Sequence, residues 1–161
     1  MLEVKNLSYQ YPKSKEDSLQ DLSLSFESGK LNILLGKNGS GKSTLRKAIL
    51  GFIKPKSGEV ILDQENLLKR SSKEKAKRLG YLPQDIPSSS LSVYDTLLLG
   101  RLPYQSIGVK KTDNEIVYSV AEKLNLVPFL LKRNDELSLG ERQIVWTGKS
   151  FVQETKTLIL D

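Results

Sequence analysis

Gly36-Lys37-Asn38-Gly39-Ser40-Gly41-Lys42-Ser43-Thr44 fits G-x-x-x-x-G-K-[ST], the pattern of a phosphate-binding P-loop. The flanking residues suit it. Leu31-Asn32-Ile33-Leu34-Leu35 is a short apolar run that reads as a buried strand. Leu45-Arg46-Lys47-Ala48-Ile49-Leu50 places apolar residues at helical spacing among strong helix formers. Strand, glycine loop and helix, in that order, are what the motif requires. A Gly/Ser turn that matched by accident would not bring both neighbours with it.

The residue types answer to the charge of a polyphosphate. Burying several negative charges takes many donors. A loop of Gly36, Lys37, Asn38, Gly39, Ser40 and Gly41 can wrap closely, and backbone N–H groups from Gly39 to Thr44 can face the oxygens. A helix starting near Lys42 adds its positive end and its free N–H groups. Lys42 reaches the β- and γ-phosphates, and the Ser43 hydroxyl takes a Mg²⁺ position. The candidate activity is therefore nucleotide binding.

The chain has 161 residues, enough for one ordinary domain with a real core. With 27% charged and 38% hydrophobic residues it reads as globular rather than disordered. No apolar run approaches the ~20 residues of a membrane span. Met1-Leu2-Glu3-Val4-Lys5 leads straight into a strand pattern with no signal peptide, so a cytoplasmic protein is expected. Cysteine is absent, which excludes disulfides and thiolate metal sites. The net charge of +6 raises the question of a nucleic-acid partner. The densest basic run, from Lys69 to Arg78, holds one acid and no aromatic on which a base could stack. It reads as the solvated face of a short helix, and no nucleic acid is expected.

In chain order, residues 2–7 and 22–26 alternate as half-buried strands, with a loop over 8–18 between them. Gly51 stops the helix after the P-loop, and Pro55-Lys56-Ser57-Gly58 is a turn into a strand over 59–62. Residues 79–84 form a short strand, 85–91 an exposed loop, and 93–100 a helix capped by Ser92. A loop is expected over 101–111. Residues 113–125 form an amphipathic helix whose apolar face holds Ile116, Val117, Val120, Ala121 and Leu124. A turn over 137–140, a helix over 141–154 and a strand over 157–161 complete the chain.

Further constellations sit around this frame. Thr157-Leu158-Ile159-Leu160-Asp161 is an apolar strand ending in Asp, as the second Mg²⁺ element of P-loop proteins does. Gln84 ends a strand, where its amide could touch Mg²⁺ and the attacking water. Leu137-Ser138-Leu139-Gly140-Glu141-Arg142-Gln143 precedes a helix; by itself it reads as an N-cap by Ser138 with Glu141 completing a capping box.

In this order and spacing, the set resembles the nucleotide-binding subunits of ABC transporters, over the whole chain. The matching parts are the P-loop at 36–44, a Q-loop glutamine at Gln84, an LSGGQ-type signature at 138–142 and a Walker B strand ending at Asp161. A weaker, finer resemblance lies in Tyr81-Leu82-Pro83-Gln84, Leu91-Ser92-Val93-Tyr94-Asp95 and Leu99-Gly100-Arg101. These are similar to subunits importing iron–siderophore, haem or cobalamin complexes.

The family resemblance implies an α/β fold. A P-loop NTPase core (31–56, 79–84 and 157–161) carries an N-terminal antiparallel β subdomain (1–30 and 57–66) and a helical subdomain with the signature helix (92–156). It implies ATP and Mg²⁺ as cofactors, with Tyr11, or failing it Tyr9, stacking on adenine. Lys42 and Gln84 serve catalysis, and Ser43, Gln84 and Asp161 serve the metal. Ser138, Leu139, Gly140 and Glu141 contact the γ-phosphate of a second domain, in a head-to-tail homodimer. The implied partners are transmembrane permease subunits, docked by the helical stretch from about 92 to 136 and the loop after Gln84. The implied place is the inner face of the cell membrane.

The chain departs from the family pattern in two places. Leu139 stands where the family usually has Gly, and Glu141 where Gln is common. The family also places a glutamate directly after the Walker B aspartate and a histidine further on. This chain stops at Asp161 and holds no histidine. It therefore reads as a shortened member, with its C-terminal core strands missing. The expectation is MgATP binding with little or no hydrolysis; the alternative is a non-hydrolysing nucleotide-binding fragment or regulatory module.

Overall fold

A computed structural model describes residues 1–106 and 108–161. The chain divides into two compact units, Met1–Lys75 and Ala76–Asp161.

The first unit is built on β1 (Leu2–Tyr9), β2 (Leu19–Phe26), α1 (Lys42–Leu50), β3 (Ser57–Leu62) and β4 (Glu65–Asn66). The strands form one antiparallel sheet in the order β2-β1-β3-β4. β1 lies inside it: Val4 faces Leu24 on one side and Val60 on the other, and Leu2 faces Phe26 and Leu62. The period-2 alternation buries Leu2, Val4, Val60 and Leu62 together. Asp63 and Gln64 turn β3 into β4 with left-handed φ of 48° and 70°. α1 buries Leu45, Ala48 and Ile49, and ends where Gly51, at φ 76°, donates back to the carbonyls of Ala48 and Lys47.

α2 (Ser72–Ala76) is a short helix within the basic run, with no fully buried residue. Arg70, just before it, is paired with Glu65 at 3.2 Å and Glu74 at 3.5 Å. Part of the positive charge that the sequence displays is thus met locally.

The second unit holds β5 (Leu79–Leu82), α3 (Val93–Leu98), α4 (Lys111–Lys123), α5 (Leu139–Val152) and β6 (Thr157–Leu160). β5 and β6 pair in parallel, with Leu82 opposite Leu160. The core gathers Val93 and Leu97 of α3, Val117 and Ala121 of α4, and Val145 and Val152 of α5, all fully buried. Ile116, Val120 and Leu124 pack at its margin, so the apolar face read from the sequence is the one that α4 buries. Ser92 caps α3 by accepting from the Asp95 N–H at 3.0 Å.

Three local expectations are corrected. Residues 31–35 form no strand, and Leu31, Ile33 and Leu35 are 82%, 71% and 85% exposed. A β-segment gains its structure from neighbouring backbone, and among the described residues no strand lies in register beside this run. The loop expected over 101–111 instead begins with a 3-10 helix, Leu99–Tyr104, that carries Arg101 into the interior at 7% exposure. The turn expected over 137–140 is shorter, because α5 already begins at Leu139.

Candidate nucleotide-binding site

In the first unit the P-loop residues fold into a cradle at the start of α1. Gly39 and Gly41 have φ of 81° and 86°, the left-handed region that glycine enters without strain. Alternating handedness of this kind turns successive N–H groups toward one concavity. Among the described residues no side chain caps α1 at Gly41, so the first N–H groups of the helix are left for a ligand. The Lys42 ammonium folds back over the loop, donating to the carbonyls of Gly36 at 2.7 Å and Lys37 at 2.8 Å. Ser40 closes the turn, its N–H donating to the Lys37 carbonyl at 3.2 Å. A Cβ at Gly36 would stand 2.7 Å from the Ser40 Oγ, which would have to turn aside.

The donor set fits a Mg-bound polyphosphate: backbone amides, one ammonium, and the Ser43 hydroxyl in the first turn of α1. Asn38 lies within the loop's turn, and Thr44 is buried at 6% exposure. The Tyr11 and Thr44 hydroxyls lie 3.3 Å apart. Tyr9 meets the Tyr11 ring edge-on at 4.9 Å. The structure therefore brings Tyr11, rather than Tyr9, into hydrogen-bond reach of a P-loop side chain. The other end of the same loop also touches the cradle: a Cβ at Gly41 would meet the Ser18 carbonyl oxygen at 2.7 Å.

In the second unit, Gln84 and Asp161 lie just past the C-terminal ends of the adjacent parallel strands β5 and β6. The Asp161 N–H donates to the Leu82 carbonyl at 3.2 Å, and the Tyr81 hydroxyl donates to the Asp161 carboxylate at 3.4 Å. Gln84 and Asp161 are exposed, and the end of a parallel strand is where α/β sheets present ligand-binding groups.

Ser138 is the N-cap of α5, and the capping box with Glu141 is complete. The Glu141 carboxylate accepts from the Ser138 N–H at 2.8 Å and from its hydroxyl at 2.6 Å. These bonds, the hydroxyl's first, hold the Glu141 carboxyl below the usual glutamate range. Leu139 is 58% exposed, and a Cβ on Gly140 would meet nothing within 4 Å, so this helix end presents an open face.

Sequence reading missed Arg101 as a buried group. Its Nε donates to Asp113 at 2.9 Å, its Nη1 to the Val152 carbonyl at 3.0 Å and to Glu154 at 2.8 Å. Its guanidinium stacks 4.2 Å from the Tyr104 ring centre. A single arginine beside Pro103 gave no periodic signal of burial.

The ABC transporter family model matches residues 19–161. The chain belongs to the ABC transporter family. An ABC transporter ATP-binding protein of Methanocaldococcus jannaschii is 37% identical over 161 residues, covering 100% of this chain and 63% of that one. A Helicobacter pylori relative, named "Probable iron chelatin transport ATP-binding protein", is 35% identical over 165 residues, covering 100% and 64%. Among solved structures, an inward-facing ABC transporter named as of metal-chelate type matches with a TM-score of 0.80 at 28% identity. That match covers 99% of this chain and 58% of the other. The chain spans less than two thirds of the length of these ABC proteins.

Proposed function

We propose that this chain binds MgATP at its P-loop as the nucleotide-binding part of a transporter subunit. The observation that carries the reading is the uncapped N-terminus of α1, framed by Gly39 and Gly41 in left-handed geometry with Lys42 folded over it. The amides from Gly39 to Thr44 and the Lys42 ammonium hold the phosphates, and Tyr11 stacks on the adenine. Mg²⁺ would be held by Ser43 and Gln84, with Asp161 on a coordinating water, and would offset phosphate charge. Ser138, Leu139, Gly140 and Glu141 present their helix start to the ATP of a second copy.

In a protein of the relatives' length, ATP closes a head-to-tail pair of such domains, and hydrolysis reopens it. This cycle powers movement of a solute through separate transmembrane permease subunits at the inner face of the membrane. Among the described residues, no helix is long and apolar enough to cross a membrane. A metal chelate, such as an iron–siderophore, haem or cobalamin complex, is the proposed solute class; the iron-chelatin relative and the metal-chelate-type structure support the metal chelate.

Equilibrium binding of labelled ATP with and without Mg²⁺ tests the MgATP reading. Mg-dependent binding is expected, and no binding would overturn it.

A further inference from the structure

We propose that Lys56 is a positioning residue for the nucleotide base: it clasps the loop that presents Tyr11. The inference rests on the reading of Tyr11 as the base-facing aromatic. Lys56 directly precedes β3, and its N–H donates to the Ser8 carbonyl at 2.9 Å. Its backbone is thereby fixed to the strand from which the 10–18 loop departs. Its ammonium then spans that loop, donating to the Gln10 Oε1 at 2.6 Å and to the Asp17 carboxylate at 2.8 Å. These residues sit at the two ends of the loop, on either side of Tyr11.

The clasp continues inward. Gln10 passes the contact on, its Nε2 donating to the Ser14 carbonyl at 3.0 Å. The Ser14 N–H donates to the Tyr11 carbonyl at 2.9 Å, and the Ser18 N–H to the Tyr9 carbonyl at 2.8 Å. Residues 12–16 are exposed and contribute no apolar burial of their own. Tyr11 itself holds to the P-loop through one long hydroxyl contact, 3.3 Å to Thr44. A loop with so little packing keeps one shape through its polar ties, and Lys56 is the tie that reaches both ends. Each exposed contact is individually weak; together they set how often Tyr11 is in place when a base arrives.

The phosphates are gripped by the cradle, not by this loop. Loss of the clasp therefore weakens ligands that carry a base and spares ligands that are phosphate alone. The test compares MgATP with magnesium tripolyphosphate by isothermal titration, on the 161-residue chain and its variants. Lys56→Gln is expected to weaken MgATP about three- to tenfold and to leave tripolyphosphate unchanged; Asp17→Asn should act in the same direction, and Lys56→Arg should retain wild-type affinity. Equal weakening of both ligands, or no change in MgATP affinity in either charge-removing variant, overturns the positioning role. A wild-type chain that binds tripolyphosphate as tightly as ATP overturns the reading of Tyr11, and the clasp with it. These outcomes separate the two failures.

Discussion

Residues that carry charge into the interior set the sharpest expectations. Burial alone would raise the Asp113 carboxyl, but hydrogen bonds from Arg101 and the Lys110 N–H, together with the Arg101 charge, outweigh it and hold the group below the usual aspartate range. A folded pKa below the unfolded one gives stability that is complete above about 3.9, the ordinary Asp value. That stability is lost as the pH falls through the lower folded value. Asp113→Asn leaves the 7%-exposed Arg101 guanidinium with the Glu154 carboxylate alone. It should cost about 1.5–3 kcal/mol at neutral pH. In thermal melts of the two proteins, the gap in Tm should be widest near pH 7 and shrink below about pH 4. A gap that is constant with pH would refute the ion-pair account.

Elements in this chain come together by close approach as much as by apolar area. Gly100 lies where the 3-10 helix meets α5: a Cβ there would stand 2.4 Å from the Lys149 carbonyl oxygen and 3.2 Å from the Gln153 nitrogen. Backbone atoms cannot step aside as a side chain would, so Gly100→Ala should destabilise the second unit by about 1–3 kcal/mol. An unchanged unfolding midpoint in urea would show that the interface yields. This crowding was not visible in Leu99-Gly100-Arg101 as a sequence, because nothing local says which backbone passes nearby. Local chemistry was more legible. Ser92 and Ser138 announced their helices, since a cap and its partner lie within one turn. α4 announced its buried face through period 3.6. The run over 31–35 shows where such reading ends. Its composition demands a sheet, but strand geometry depends on a neighbour in register, and composition cannot say whether one is there.

For the whole molecule, the P-loop was the most legible feature. A phosphate cradle is specified by contiguous residues, so Gly36 through Thr44 can be read directly. The clasp by Lys56 joins residues far apart in the chain with no spacing rule, and it emerges only from the folded loop. Gln84 and Asp161 were each weak signals alone and gained meaning from their order and spacing; the parallel pairing of β5 and β6 sets both at one end. The account stands on the cradle being a working phosphate site. The measurement that tests it most directly is titration of MgATP into the wild-type chain and into Lys42→Ala. A charge-assisted contact of this kind is worth about 1.5–3 kcal/mol, so the variant should bind roughly 10- to 100-fold more weakly. Equal affinity of the two proteins for MgATP would contradict the account.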